Sequence, residues 1–467
     1  MPRMDEREAA LRRAAEIGLE YLGSLDERHV GARVDATGVK ERLPAPLPEQ
    51  GMDPVAVIEE LAAALDPGIV ASLGPRYFGF VIGGAVPASA AADWLTTAWG
   101  QNGGLHALSP AAAAAEAVAG RWALELLGLP AEASFGLPTG AGLGNTVGLA
   151  AGRHAVLARA GWDVEADGLY GAPEITVLIG ADAHATLLTA LQYLGLGRDR
   201  VIRVPVDDQG RMRADAAGEA IGGVDGPLLA AIQAGNVNSG AFDPAAEIAE
   251  ALSDHPNKWL HIDGAFGLWA AVSPELRHLV DGVDRADSWS TDAHKWLNVG
   301  YDCGFVAVRD PAAHRASMAT SAAYLMPSQL RENWEYVLDS SRRPRGFILY
   351  AAIRSLGREG VRALVERCCA LARRIADRLR EADGVEVLND VVLNQVLVRF
   401  GDDDRTRAVI ARIQADGTAW MGGTVWQGGA AMRISVSNWS TTEADADRTV
   451  DAILRAAHNS AIHAASE

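Results

Sequence analysis

The sequence has few cysteines, no long apolar run and an excess of one charge. Nothing around its three cysteines (Cys303, Cys368 and Cys369) matches metal-ligand spacing, so we expect no metal site. No stretch of about 18 uncharged apolar residues occurs, and the N-terminus has the pattern of an amphipathic helix rather than a signal peptide. The formal net charge of −18 would repel a phosphate backbone, which argues against nucleic acid as a partner. We therefore expect a reduced, cytoplasmic protein that binds neither membranes nor nucleic acid.

Helical and strand patterns alternate along most of the chain. Short, nearly continuous apolar runs predict strands that are buried on both faces. These runs cover 174–181, 200–206, 227–234, 258–265 and 304–309. Helical stretches separate them, which is typical of βαβ units, of a mostly parallel sheet with helices on both faces and of an α/β fold. We predict three parts: an N-terminal helical segment that makes dimer contacts (1–85), a large domain (86–350) and a small C-terminal α+β domain (351–467).

Lys295 lies in a polar and aromatic turn between two predicted strands, beside His294 and Trp296. Burial of an ammonium group is unfavourable, and a lysine amine in a closed, aromatic-lined place is well suited to form a Schiff base. The alternative interpretation is a surface turn in which the lysine is simply solvated.

Asp263 ends the predicted strand at 258–265, at the edge where open α/β sheets place their ligands. A carboxylate there can keep a pyridine nitrogen protonated, which pyridoxal phosphate (PLP) needs to act as an electron sink. Ala265, two residues later, is small enough for a flat ring to lie against the strand. Alternatively, Asp263 only caps the turn that follows it.

Glycines at 140, 142 and 144 open a predicted helix whose free N–H groups would attract a phosphate. The pattern nearly matches a dinucleotide fingerprint, but Asn145 replaces its last glycine and the preceding residues make a poor first strand. No lysine follows the glycines, which excludes a P-loop. His184 follows a predicted strand, where its ring could stack on a flat cofactor or merely begin a helix.

Together these segments resemble the PLP-dependent group II amino acid decarboxylases, which have the aspartate aminotransferase fold type I. The resemblance covers almost the whole chain. It is carried by GPRYFGF (74–80), HIDGAFG (261–267), DAHKWLNVGYDCG (292–304) and AMRISVSNW (431–439). It implies the PLP-dependent transferase fold type I, PLP as the cofactor, an amino acid as the small-molecule substrate and a homodimer.

The resemblance also implies a role for each candidate residue. Lys295 would form the Schiff base, Asp263 would pair with the pyridine nitrogen and Ala265 would lie under the ring. His184 would stack above the ring, and His294 would sit beside the phosphate. The implied cofactor-binding set also includes Gly140, Ala141, Gly142 and Asn236. Gly142 stands where members usually carry Ser or Thr, so phosphate binding would depend more on backbone N–H groups. Val237 stands where many members carry Thr, which would remove a polar contact near the cofactor.

Tyr324 stands where decarboxylases of this family carry a mobile-loop tyrosine that protonates Cα after CO₂ leaves. A phenylalanine at this place accompanies aldehyde-forming members. Arg342 and Arg343 match paired arginines that we expect to be ionic anchors. Arg433 matches a strand position at which related aminotransferases bind a substrate carboxylate.

By resemblance, five residues belong to the substrate pocket: Phe80, Val81, Asn102, Gly104 and His106. We expect decarboxylation of an L-amino acid, with an aromatic one favoured over an acidic or unusual one. An aminotransferase, a lyase or an oxidative aldehyde-forming enzyme would use the same Lys295 and Asp263. A nicotinamide-dependent dehydrogenase would not depend on Lys295, and a non-catalytic scaffold would bind no PLP.

Overall fold

The computed structural model describes residues 4–44, 46–320 and 330–464 of the chain. In that part it contains fourteen α-helices and eleven β-strands. The helices are α1 Met4–Ser24, α2 Ala36–Lys40, α3 Pro54–Leu65, α4 Pro87–Trp99, α5 Pro110–Leu127, α6 Ala141–Arg159, α7 Val164–Asp167, α8 Ala185–Tyr193, α9 Ala214–Gly222, α10 Ala245–Ala251, α11 Pro311–Met318, α12 Arg345–Arg380, α13 Asp403–Asp416 and α14 Glu443–Ala464. The strands are β1 Ser134–Gly136, β2 Thr176–Gly180, β3 Ile202–Val204, β4 Leu228–Gln233, β5 Lys258–Asp263, β6 Ser288–Asp292, β7 Gly304–Val308, β8 Glu386–Val387, β9 Gln395–Arg399, β10 Gly422–Trp426 and β11 Gly429–Ser435.

The larger sheet has seven strands in the order β1-β7-β6-β5-β4-β2-β3. Only β7 runs against the others, since it pairs antiparallel with both β1 and β6. The mostly parallel sheet predicted from the apolar runs is therefore confirmed. The expectation that the residues before the glycines make a poor strand was wrong, because 134–136 form β1. This strand needs no long apolar run, since only three residues pair with β7 at the sheet edge.

Alternate side chains of the central strands enter two separate hydrophobic cores, one on each face of the sheet. In β4, for example, Leu228 and Ala230 belong to one core, and Leu229 and Ala231 belong to the other. Helices α5, α9, α10 and α12 contribute side chains to the first core, and α6, α8 and α11 contribute to the second. Burial on both faces explains why these strands are apolar without alternation.

A second sheet is antiparallel, with the strand order β10-β11-β9-β8, and it is accompanied by α12, α13 and α14. The 36-residue helix α12 is interrupted at Gly357, whose φ of 63° is left-handed. The predicted boundary between residues 350 and 351 falls within this helix. The two predicted domain boundaries stay predictions.

The paired arginines before α12 are ionic anchors, as expected. Arg342 Nη2 lies 2.7 Å from Glu116 Oε2, and both side chains are almost completely buried. Arg343 Nη2 lies 2.6 Å from Asp93 Oδ1, on α4. A buried carboxylate is tolerated only when it is paired and hydrogen-bonded, so these contacts fix the 340–345 segment against α4 and α5.

Within the described residues, no helix is long and apolar enough to cross a membrane, and no group of three or more His, Cys, Asp or Glu could hold a metal ion. The three cysteines are free and buried. Burial raises the pKa of the Cys303 thiol to about 12 and that of Cys368 to about 11, so both stay protonated near neutral pH. The cytoplasmic location stays a prediction.

Candidate active site

Four of the candidate features, Asp263, His184, Lys295 and the start of α6, lie at the edge of the sheet where the parallel strands have their carboxyl ends. β5 ends at Asp263, β6 ends at Asp292, and His184 follows β2. Lys295 comes three residues after the end of β6, and α6 begins after β1 with Ala141. Open α/β sheets bind their ligands at this edge.

Lys295 is paired with a carboxylate that the sequence analysis did not single out. Its Nζ lies 3.0 Å from Asp292 Oδ2, and the Asp292 side chain is only 4% exposed. The other oxygen of Asp292 accepts a hydrogen bond of 2.6 Å from the backbone N–H of Ala141. The turn is therefore not a solvated surface turn. The sequence does contain a signal for Asp292: it is an acidic residue three positions before the lysine, at the end of a predicted strand.

Asp263 accepts two hydrogen bonds in a nearly buried position. Asn145 Nδ2 donates to its Oδ2 over 3.0 Å, and the N–H of Ala265 donates to its Oδ1 over 3.3 Å. The second bond is the turn cap that was the alternative interpretation, so Asp263 both caps the turn and faces Asn145. In the sequence, Asn145 was notable only as a departure from a dinucleotide fingerprint, and its bond to Asp263 could not be predicted.

The start of α6 offers backbone donors in a narrow space. Its N-cap residue, Gly140, has no side chain to cap the helix, and the N–H groups of Gly142 and Leu143 find no acceptor among the described residues. A Cβ at Gly140 would lie 3.2 Å from His294 Cε1 and 3.3 Å from Asp292 Oδ1. Free N–H groups at a helix start favour a phosphate.

His184 is half-buried and His294 is buried, and both imidazoles are neutral. Burial lowers the pKa of His184, the charge of Asp263 opposes this shift, and the Lys295 cation adds to it. His184 Nδ1 also contacts Thr186 Oγ1 at 2.8 Å, so the residue does begin α8. Burial lowers the pKa of His294 as well, with Asp292 opposing. The His294 ring lies 4.4 Å from the ring of Tyr301.

The structure does not bring every candidate residue to Lys295. Asn236 uses its side-chain oxygen within its own loop, where it accepts hydrogen bonds from the N–H groups of Asn238 and Ser239. Asn102 caps the N–H of Gly104 over 2.8 Å, and Gly104 O accepts from the N–H of Trp334. The N–H of His106 donates to Glu332 Oε2 over 2.6 Å. Among the described residues, no hydrogen bond or ion pair joins this loop to Lys295.

Phe80 and Val81 lie closer to the lysine turn. Both have left-handed backbone conformations, with φ values of 53° and 57°. The segment that follows them passes so close to the turn that a Cβ at Gly83 would lie 1.8 Å from Lys295 O. Tyr324 lies outside the described residues.

The comparisons with known proteins agree with this arrangement. A family model, the pyridoxal-dependent decarboxylase conserved domain, matches residues 37–400. The chain belongs to this family. Tryptophan decarboxylase 1 of Oryza sativa subsp. japonica is 27% identical to it over 421 residues, which cover 85% of this chain and 80% of that protein. The aromatic-L-amino-acid decarboxylase of Drosophila lebanonensis is 31% identical over 254 residues, which cover 52% of this chain and 62% of that protein.

Solved structures share the fold at low identity. The structure of Oryza sativa TDC with PLP and tryptamine has a TM-score of 0.90 and 24% identity, and the match covers 98% of each chain. Rhodiola rosea 4-hydroxyphenylacetaldehyde synthase has a TM-score of 0.87 and 22% identity, with 98% of this chain and 99% of that chain covered. The protein is thus a PLP-dependent amino acid decarboxylase of fold type I, as predicted. The dehydrogenase and scaffold alternatives are set aside.

In this decarboxylase, Asn298 connects the lysine turn to two other segments. Its Oδ1 accepts hydrogen bonds from the N–H groups of Gly84 (2.8 Å) and Trp439 (2.9 Å). Its Nδ2 donates to the carbonyl oxygens of Trp296 and Ser437, both over 2.8 Å. The side chain is fully buried, and the residue has a φ of 55°. The sequence shows that Asn298 follows Lys295 closely, but it does not reveal these bonds.

Replacing Asn298 tests this connection. Asn298→Gly removes four buried hydrogen bonds, so we expect the free energy of unfolding to fall by about 2–4 kcal/mol. Asn298→Ala should be less stable than Asn298→Gly by about 1 kcal/mol, because alanine disfavours a left-handed backbone. Urea denaturation of the two variants measures both differences.

Asn389 provides a matched control. It is also a buried asparagine with several hydrogen bonds, but its φ is not left-handed. Glycine should therefore be the less stable replacement at 389. An alanine variant at 298 that is as stable as the glycine variant would contradict the role of the left-handed backbone.

Proposed function

We propose that this decarboxylase converts an aromatic L-amino acid to its amine and CO₂, with Lys295 holding the cofactor. The observation that carries the proposal is the meeting of Lys295, Asp263, His184 and the start of α6 at one sheet edge. When bound, PLP supplies an electron sink for the electron pair that CO₂ leaves behind.

The residues present fit this cofactor. The narrow space at Gly140 and the free N–H groups of α6 suit a phosphate, and Asp263 supplies an acceptor for a protonated ring nitrogen. Ala265 leaves the face of the strand free of a bulky side chain. Neutral His184 is suited to stacking on a ring, since it carries no charge to be desolvated. These roles are part of the proposal.

An aromatic cluster near the lysine turn supports an aromatic substrate. The rings of Tyr77 and Phe80 both stack on the ring of Trp420, with centroid distances of 5.0 Å and 5.6 Å. Phe80 remains 59% exposed, so its ring is accessible to a ligand. The names of the relatives, which include tryptophan and aromatic-L-amino-acid decarboxylases, point in the same direction.

Arg433 is the residue that we propose as the ligand of the substrate carboxylate. The residue lies on β11, where its Nη1 donates to the carbonyl oxygen of Val237 over 3.2 Å. Burial lowers its pKa, and no carboxylate of the described residues lies within ion-pair distance. This cation is therefore available to a substrate carboxylate, as in an aminotransferase.

Product analysis tests the proposed aromatic substrate and the role of Lys295. We expect the PLP-loaded protein, incubated with a panel of L-amino acids and no keto acid, to release an amine and CO₂ from an aromatic member. Mass spectrometry identifies the product. Lys295→Ala should reduce turnover at least about 10³-fold, because it removes the amine that holds the cofactor and exchanges it with the substrate. A keto acid product, or normal turnover in the variant, would contradict the proposal.

We further propose that Tyr324 donates the proton to Cα after CO₂ leaves. Tyr324→Phe keeps the ring but removes the donor, so amine formation should fall about 10²-fold. In air-saturated buffer the diverted product should be the aldehyde with ammonia, because dissolved O₂ can take up the two electrons and become H₂O₂. Quantifying amine and aldehyde in one assay measures both changes. Tyr301→Phe is the matched control, because Tyr301 is a phenol beside His294 to which we assign no proton transfer. Unchanged amine yield in Tyr324→Phe would refute the assignment.

We propose that the decarboxylase is a homodimer that pairs through an apolar groove of about 670 Å³. Trp99, Ala115, Val118 and Phe347 are among its lining residues, and Trp99 is 52% exposed. Monomers seldom leave such an apolar surface open. The groove borders the 101–106 loop, which carries Asn102 and Gly104 and, among the described residues, makes no hydrogen bond or ion pair with Lys295 of its own chain. A second copy on this surface would allow the loop to serve the neighbouring site.

Sedimentation velocity tests the dimer. The wild-type protein should sediment with twice the mass of one chain, and Val118→Glu should shift it toward the monomer because a charge would be buried in the interface. Tyr170→Glu is the control, since Tyr170 is 98% exposed and lies outside the groove. A monomeric wild-type protein would contradict the proposal.

A further inference from the structure

A continuous chain of hydrogen bonds runs beneath the site and ends at Asp263. Trp259 Nε1 donates to Ser288 Oγ over 2.8 Å, and Ser288 Oγ lies 2.8 Å from His261 Nδ1. His261 Nε2 lies 2.9 Å from Asn145 Oδ1, and Asn145 Nδ2 donates to Asp263 Oδ2 over 3.0 Å. All five side chains are at most 4% exposed, so water does not compete for these bonds.

The chemistry of the two ends gives this chain one direction. An indole N–H can only donate, so Ser288 Oγ accepts from Trp259, and its own hydrogen faces His261 Nδ1 at 2.8 Å and the more distant carbonyl oxygen of Gly148 at 3.4 Å. Burial lowers the pKa of His261 to about 3, so the ring is neutral, and it carries its hydrogen on Nε2 because Asn145 Oδ1 can only accept. Nε2 then donates to Asn145 Oδ1, which also accepts from Ser290 Oγ, and the amide hydrogen of Asn145 points at Asp263. The opposite direction would require Asp263 to be protonated and to donate.

Three glycines of α6 make room for this chain. A Cβ at Gly148 would lie 2.7 Å from His261 Nδ1 and Cε1, and one at Gly152 would lie 2.7 Å from Trp259 Cδ1. At Gly144 it would lie 3.0 Å from Ser290 Cβ. These residues are four apart, so they share one helix face. Each glycine lowers the stability of a helix by about 1 kcal/mol relative to alanine. Here the loss is offset by the packing that becomes possible when α6 approaches β5 and β6 closely.

No cation of the described residues lies within ion-pair distance of Asp263. Hydrogen bonds donated to a carboxylate stabilise its charged form, and donors in a polarised chain strengthen one another. We propose that Asn145, His261 and Ser288 are positioning residues that hold Asp263 as an ionised acceptor for the ring nitrogen of the cofactor. The inference rests on the proposed function, in which Asp263 faces that nitrogen.

The test compares the affinity of the apoprotein for PLP and for its 1-deaza analogue, in which a carbon replaces the ring nitrogen. The ratio of the two dissociation constants isolates the contact between Asp263 and the nitrogen, and it does not depend on turnover. We expect wild-type apoprotein to prefer PLP. His261→Phe keeps a ring but breaks the chain, so the preference should fall about tenfold, as for the loss of one bond to a charged group.

His314→Phe is the matched control. His314 is also fully buried, its pKa is also lowered to about 3 by burial, and it also has two hydrogen-bond partners, Ser134 Oγ and Tyr336 O. It has no link to Asp263, so this variant should keep the wild-type ratio even if it is equally destabilised. His261→Gln, which retains a donor and an acceptor, should recover part of the preference.

Ser288→Ala keeps the test decisive if His261→Phe does not fold. It removes the link that fixes the histidine hydrogen on Nε2, and we expect a smaller fall in the ratio, about threefold. The proposal would be overturned if the folded variants that interrupt the hydrogen-bond chain kept the wild-type ratio of dissociation constants. It would also be overturned if His314→Phe lowered the preference for PLP as much as they do. An absence of preference in the wild-type protein would overturn the assignment of Asp263 itself and the proposal with it. Failure of the apoprotein to bind PLP would overturn the proposed function instead.

Discussion

The close approach of α6 to β5 and β6 determines where the rest of the site can lie. Side chains larger than hydrogen at Gly148 or Gly152 would overlap His261 and Trp259, so the helix reaches this depth only with glycines. At that depth its first N–H groups lie beside Asp292, and Asn145 reaches Asp263. One packing constraint thus sets the position of the proposed phosphate site and of the proposed ring-nitrogen partner together.

Charge balance is the second constraint. Burying an amine or a carboxylate alone is unfavourable, and the 3.0 Å contact between Lys295 and Asp292 neutralises both. Burial keeps His184 and His294 neutral, so neither adds a positive charge. The backbone donors of α6 and the cation of Arg433 are then the features that remain to attract an added anion. The N–H groups of α6 suit the phosphate of the cofactor, and the Arg433 cation suits the carboxylate of the substrate.

The sequence predicts the features that depend on local pattern. Strands that are buried on both faces are apolar throughout, so β2, β4, β5 and β7 were recognisable, and Lys295, Asp263 and His184 stood out because each lies at or just after the end of a predicted strand. What the sequence could not predict depends on pairing between distant segments. The three residues of β1 form a strand only because β7 lies beside them. The contacts of Asp292 and Asn145 depend on the packing of α6 against β5 and β6, which the sequence does not reveal.

Asn298 joins these parts into one unit. Its left-handed backbone turns the chain after Lys295, and its side chain bonds the segment after Phe80 and the segment after β11. Arg433 lies on β11, so the proposed carboxylate ligand and the proposed pocket residues are tied to the same turn as the lysine. A displacement of either segment would break hydrogen bonds that no water could replace, because Asn298 is fully buried. The segments that carry the proposed substrate residues are therefore held against the lysine turn by a buried amide, and Asp292 joins the same turn to the start of α6, where the phosphate is proposed to bind.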